Sequence, residues 1–251
     1  MKIINSYAID GFTVSIFDEL DSTNNYLKRA AEDGAPDGSV AVALTQTGGK
    51  GRLGRSFFSP KSGLYLSVLV RRNIEVGLAH LITPMAAVAV ASSLEKCGSE
   101  TAEIKWVNDI YIGGRKVCGI LTETQISPSG KTLGYAVIGI GINLAEPDGG
   151  FPADIKNRAG AAFKNADDGI RERLASKILR ELERGLSSLS GKGFLEEYRS
   201  RSILIGRDIE IITGNTPIAA RVIGIDDDCK LIAETAEGIR EIYTGEVSIK
   251  M

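Results

Sequence analysis

The chain has 251 residues, 43% hydrophobic and 25% charged, with 30 Lys plus Arg against 32 Asp plus Glu. A formal charge of −2 gives no sign of general nucleic-acid binding, which usually shows as a basic domain. The length predicts one domain of about 200 residues with a small appendix.

Asp21-Ser22-Thr23-Asn24-Asn25 opens a predicted helix from Asn25 to Asp33, ended by Gly34. These residue types are favoured N-caps, yet the run exceeds what one cap needs. A small polar ligand held at the helix start explains it equally well. Ser39 to Leu44 is an apolar strand, and Gly48 to Arg55 follows it as Gly-Gly-Lys-Gly-Arg-Leu-Gly-Arg. Glycines let backbone approach a ligand closely, and Lys or Arg beside them supply the charge-assisted donors that bind a phosphate or carboxylate. The segment reads as an anion-binding loop. It is not a dinucleotide fingerprint, because Pro60 and Gly63 prevent a helix from opening there. It is not a P-loop either: no Ser or Thr follows Lys50, and Leu44 stands where the first glycine belongs.

Gly63 to Val70 is predicted as a strand, and Met85 to Lys96 as a helix with Thr83-Pro84 as cap and first helical residue. His80 is the single histidine and reads as a helix-packing residue in an apolar stretch. The lack of any other histidine argues against a zinc enzyme and a serine-type hydrolase, and the chemistry available is cationic. Glu103 to Trp106, Ile110 to Ile112, Val117 to Glu123 and Thr132 to Ile142 are predicted strands with turns at Gly113-Gly114 and Pro128-Ser-Gly130. Pro147 to Gly169 has no sustained period and reads as a lid or a disordered connection. Ile170, Leu174, Ile178, Leu182 and Leu186 mark one buried helix face. Beyond Ser202, short alternating runs split by Gly214-Asn215, Asp226-Asp-Asp228 and Glu237-Gly238 predict a small antiparallel barrel. No run reaches membrane-span length, Met1-Lys-Ile-Ile-Asn-Ser-Tyr lacks a signal peptide's apolar core, and no metal-ligand cluster is visible. Cys97, Cys118 and Cys229 fit free thiols of a cytoplasmic protein. The fold class is α+β: a mixed-sheet catalytic domain over 1–203 flanked by helices, and a β unit over 204–251.

Lys105 and Lys116 stand at the ends of predicted strands. Such lysines often protect sheet edges, but Lys116 leads into the apolar run Val117-Cys-Gly-Ile-Leu, at the mouth of a buried strand. Taken together, Asp21-Ser-Thr-Asn24, Gln46 with Gly49-Lys-Gly-Arg-Leu-Gly-Arg55, Lys105-Trp-x-Asn-Asp109, Lys116-x-x-Gly-Ile-Leu-x-Glu123 and Gly139-Ile-Gly-Ile-Asn143 resemble, in order and spacing, the motif series of the biotin protein ligases. The C-terminal β unit is similar to that family's SH3-like domain.

The resemblance implies that biotin and Mg-ATP form biotinyl-5′-adenylate, and that the biotinyl group passes to a lysine of a biotin carboxyl carrier domain. It implies biotin contacts from Ser22, Thr23, Asn24, Gln46, Lys50, Gly51, Arg52 and Lys116, and nucleotide contacts from Arg55, Phe57, Lys105, Asn108, Asp109 and Asn143. Lys116 would bridge carboxylate and phosphate, and Arg52 would close the glycine loop; these two are the expected catalytic residues. Family members often carry Arg at 50, Trp at 57 and Pro at 107, where this chain has Lys50, Phe57 and Val107. Lys50 keeps the charge without bidentate geometry, and Phe57 still offers a ring for stacking. About twenty residues precede the first motif, so no helix-turn-helix domain and no DNA partner are expected; no membrane partner is expected, and a homodimer is allowed. Competing readings are a lipoate or octanoate ligase, whose usual glycine-rich motif ending in histidine is missing here, and a non-catalytic biotin- or nucleotide-binding regulator.

Overall fold

The structure, a computed structural model, describes residues 2–212, 217–243 and 246–249, the last stretch by its backbone alone. Its first feature is a hairpin of β1 (Ile3–Ile9) and β2 (Phe12–Leu20). Asp10 and Gly11 turn it with φ of 48° and 85°, the signature of a two-residue turn matched to strand twist. Next come α1 (Thr23–Glu32), β3 (Ser39–Gln46), β4 (Gly63–Val70) and α2 (Ile82–Lys96). The chain then runs through β5 (Glu103–Lys105), β6 (Asp109–Ile112), β7 (Arg115–Ile126) and β8 (Leu133–Asn143) to α3 (Ile170–Ser187) and α4 (Leu195–Ser200). β9 (Asp208–Ile212), β10 (Ile218–Ile225), β11 (Leu231–Thr235), β12 (Gly238–Ile242) and β13 (Glu246–Ile249) complete it.

The first eight strands form one mixed sheet in the order β1-β2-β3-β4-β8-β7-β6-β5. Only β2 and β3 run parallel, with α1 as their crossover. β4 is buried along its whole length, as a central strand covered on both faces must be. Alternation divides its neighbours between two layers. Val40, Val42, Leu66 and Val68 face α2 and α3 in the main core. Ala41, Ala43, Leu69 and Val137 face Leu27 and Ala31 of α1.

The C-terminal unit is a five-stranded antiparallel sheet, β12-β11-β10-β9-β13, whose Ile209, Val222 and Leu231 join the main core. Among the described residues no ladder joins β12 to β13, so the unit is an antiparallel sheet, and the barrel expected from the sequence goes beyond it. The expected turn at Gly214-Asn215 lies outside the described residues.

Three sequence expectations are corrected. Helix α2 starts at Ile82, with Pro84 inside its first turn, where the missing N–H has no partner to lose. Thr83 is no cap; its hydroxyl donates to Thr122 Oγ1 at 2.8 Å. His80 is not packed inside a helix. It is exposed on a short 3₁₀ turn, with Nε2 3.9 Å from Asp228 of the C-terminal unit. Finally, Val76–Lys96 form a 21-residue stretch containing an 18-residue window of mean hydropathy 1.6, long and apolar enough to span a membrane by length and composition. Here 61% of that window is buried within the fold, which accounts for its apolarity as core.

Candidate active site

The site lies on the α1 face of the large sheet, and strand register builds its floor. Ser67, Gly139 and Leu121 pair side by side across β4, β8 and β7, and Tyr65, Gly141 and Gly119 form the next row. Both glycine positions on β8 serve close approach. A Cβ at Gly139 would collide with Asn24 Oδ1, and one at Gly141 would lie 2.7 Å from the Phe57 ring.

Above this floor is a narrow polar pocket lined by Ser22, Thr23, Asn24 and Gln46, with Lys50 and Phe57 at its mouth. Ser22, Thr23 and Asn24 are 2%, 4% and 4% exposed, so each polar atom there needs a partner. Ser22 is the N-cap of α1, accepting from Asn25 N. Ser22 therefore caps the helix, while Thr23 and Asn24 turn inward and line the pocket with it. Thr23 N–H donates to Gln46 Oε1 at 2.9 Å, and the Asn24 amide donates to Leu121 O at 3.2 Å and Glu123 Oε2 at 2.9 Å. Burial pushes the Glu123 carboxyl up, but hydrogen bonds from Lys28 and Asn24 outweigh it and hold the group below its ordinary value. Asp21 faces outward, where Arg29 holds its carboxyl far below the carboxylate range.

Phe57 separates this pocket from a larger chamber of about 130 Å³. Among the described residues the chamber is lined by the cations Lys50, Arg52, Arg55, Lys105 and Lys116, with Asp109 as the one carboxylate. Five cations against one acid concentrate positive potential there. The glycine loop folds over it as a small hairpin: Gly51 N donates to Arg55 O at 2.7 Å and Phe57 N to Gly49 O at 2.9 Å. Arg52 Nη1 donates to Asn108 Oδ1 at 3.0 Å, and Lys50 Nζ to Asn25 Oδ1 at 2.7 Å. Lys116 Nζ lies 2.7 Å from Asp109 Oδ1. That buried oxygen makes no well-directed hydrogen bond among the described residues; proximity rather than angle defines the pair.

The structure thus gathers every expected site residue except Asn143 around the two cavities. Asn143 lines neither; its amide is buried and donates to Gly160 O at 3.0 Å. What the sequence concealed is the reason. The connection between β8 and α3, read as a lid or disordered, docks against the site. Lys116 N donates to Arg158 O at 2.7 Å, Gly160 N to Lys116 O at 2.9 Å, and Ala162 N to Asn143 O at 2.8 Å. Trp106, also missed, walls the chamber and donates Nε1–H to Cys229 O at 2.7 Å, tying the site to the C-terminal sheet.

Comparison with known proteins places this geometry. Residues 16–143 match the biotin/lipoate A/B protein ligase family, and residues 204–250 match the biotin protein ligase C-terminal domain. The bifunctional ligase/repressor BirA of Bacillus subtilis is 33% identical over 237 residues, covering 92% of this chain and 72% of the relative. The biotin–[acetyl-CoA-carboxylase] ligase of Paracoccus denitrificans is 29% identical over 240 residues, covering 90% and 96%. A solved biotin protein ligase from Aquifex aeolicus, in complex with biotin and ATP, superposes with a TM-score of 0.76 at 28% identity, covering 94% of this chain and 98% of its own. The chain belongs to the biotin/lipoate A/B protein ligase family.

Proposed function

We infer that the protein is an ATP-dependent biotin protein ligase that makes biotinyl-5′-adenylate and passes the biotinyl group to a lysine of a biotin carboxyl carrier domain. The observation that carries this reading is the junction of the two cavities: a buried pocket of mixed donors and acceptors opens past Phe57 into a chamber of five cations. A ureido head needs both donors and acceptors, and a carboxylate brought against a phosphate needs cations. The relatives' names favour biotin over lipoate or octanoate.

In this reading Ser22, Thr23, Asn24, Gln46, Lys50 and Gly51 hold the biotin end. A biotin carboxylate oxygen bonds to the α-phosphorus as the bond to the β-phosphate oxygen breaks, and pyrophosphate leaves. Lys116 sits between the two anions, and Arg52 closes the glycine loop over the product. The amine of the carrier lysine then attacks the acyl carbon and AMP departs. Arg55, Phe57, Lys105, Asn108 and Asp109 face the nucleotide, while Asn143 acts at one remove by anchoring the 158–163 segment beside Lys116. Mg²⁺ takes few carboxylates and keeps phosphate oxygens and waters as ligands. Asp109, the chamber's one carboxylate, fits that sparse demand, and the ion would supply charge neutralisation on the triphosphate. The division at 203/204 is supported by the start of the C-terminal family match at residue 204. A cytoplasmic site of action is supported by three free cysteines.

The deciding experiment is exchange of labelled pyrophosphate into ATP with biotin, lipoate or octanoate as acid. Exchange with biotin alone is expected. Exchange driven by lipoate or octanoate instead, or by none of the three, overturns the reading.

A further inference from the structure

Behind the polar pocket lies a second row of groups that do not line it. Ser67 is fully buried on β4, a polar residue on an otherwise apolar strand. Its Oγ lies 2.6 Å from Asn24 Oδ1 and 2.7 Å from Thr23 Oγ1. Glu123 on β7 accepts from Asn24 Nδ2 through one oxygen, and from Lys28 Nζ at 2.5 Å through the other.

Proton counting fixes the direction of this chain. Asn24 Nδ2 faces two groups that only accept, Leu121 O and the Glu123 carboxylate, so the amide cannot flip. Its Oδ1 therefore faces Ser67 and, as a carbonyl, can only accept. Ser67 has one proton, and it belongs to Asn24. The short Ser67–Thr23 contact then requires the Thr23 proton, and the alternative partner for that proton, Gln46 Oε1 at 3.2 Å, also only accepts. Either way the Thr23 hydroxyl donates into the protein and turns a lone pair to the pocket. Gln46, with its oxygen on Thr23 and one amide hydrogen on Ser59 Oγ at 3.0 Å, keeps its second hydrogen for a ligand. The pocket wall is thus fixed as an acceptor at Thr23 beside a donor at Gln46.

We propose that Ser67, Glu123 and Lys28 are positioning residues that set this donor–acceptor polarity and so govern affinity for the ureido head without touching it. The proposal rests on the biotin-ligase reading, and wild-type protein tests that reading separately: no biotin-dependent exchange in wild type defeats it before any variant is made.

The test is steady-state pyrophosphate exchange with Ser67→Ala, Glu123→Ala and Glu123→Gln, each with a thermal melt. Ser67→Ala and Glu123→Ala are expected to raise the KM for biotin by about tenfold or more, because a misdirected partner leaves buried polar groups unpaired. kcat and the KM for ATP stay within about twofold. Glu123→Gln, which keeps an acceptor for Asn24, returns the biotin KM to within about threefold of wild type. A packing defect alone would lower the melting temperature and the active fraction without this split. Should Ser67→Ala not fold, Lys28→Ala at the solvent end of the chain, with an expected rise of about threefold, and the two Glu123 variants carry the test. An unchanged biotin KM in Glu123→Ala, equal rises for biotin and ATP, or no difference between Glu123→Ala and Glu123→Gln overturns the proposal.

Discussion

Gly141→Ala offers a test of the junction between the two cavities. The new methyl carbon would lie 2.7 Å from Phe57 Cε1 and 3.0 Å from Cδ1 and Cζ. Carbon atoms pack comfortably about 3.5–4.0 Å apart, so the ring must retreat by roughly 1 Å. One tether restricts it: the Phe57 N–H is bound to Gly49 O at 2.9 Å. Overpacking of this kind costs about 1–3 kcal/mol. If it falls on the bound state, the KM for biotin rises roughly 5- to 150-fold, at about 1.4 kcal/mol per decade. Biotin-dependent pyrophosphate exchange measures this, with a melt to show how much of the cost falls on the fold instead. Phe57→Leu added to Gly141→Ala removes the ring edge and is expected to recover most of the loss. A Gly141→Ala protein with wild-type KM and melting temperature, or a double variant no better than the single one, refutes the idea that the ring holds the junction.

Lys116→Ala is expected to slow adenylate formation by about 10²–10³, the usual loss for one preorganised charge-stabilising donor; near-normal exchange would remove Lys116 from the mechanism. Arg52→Gly deletes the hydrogen bond to Asn108 and should still make adenylate but release it, so bystander proteins become labelled; a variant that labels only the carrier contradicts a closing role. Hydrogen exchange over residues 48–55 is expected to slow when biotin and ATP are added, since three clustered cations repel one another until an anion arrives; equal protection with and without them counts against gating. Arg201 holds the Glu95 carboxyl below its ordinary value, so this pair stabilises the fold above the unfolded pKa of about 4.3 and is lost as pH falls through the lower folded value. Glu95→Gln should therefore lower the melting temperature by ~2–4 °C at neutral pH if the pair is worth about 1 kcal/mol, with the gap closing in acid; a gap that persists at pH 2 assigns the loss to something other than charge.

Sequence patterns resolved what repeats or stands out chemically. The buried face of α3, the strands of the central sheet and the cation-rich loop all announce themselves in periodicity or composition, and the ordered motifs picked out the residues that, Asn143 excepted, gather around the two cavities. The β1–β2 hairpin was missed despite its Asp10-Gly11 turn, because β1 is a largely exposed edge strand with little alternation to read. The docked connection was missed for a different reason: backbone hydrogen bonds hold it to Lys116 and Asn143, and these leave no side-chain period. Lys116 was read from its place beside a buried run, but its partner Asp109 required three dimensions. Ser67 did carry a signal, a hydroxyl within an apolar strand, whose meaning depends on what lies across the sheet.

The docking of residues 158–163 divides the long connection into parts with different tolerance for change. Ala159 bridges to Lys116 while Ala162 and Phe163 hydrogen-bond to Asn143 and Leu144, so their spacing is fixed by the strands they join. The stretch from 147 to 157 carries no such bond to a strand of the sheet among those described. Added or deleted residues there should be absorbed as slack, whereas a single-residue insertion between 159 and 162 would have to break the pairing beside Lys116 or the one beside Asn143. Length variation among active relatives, or in a random insertion library selected for ligase activity, should therefore collect before Arg158 and stop at it.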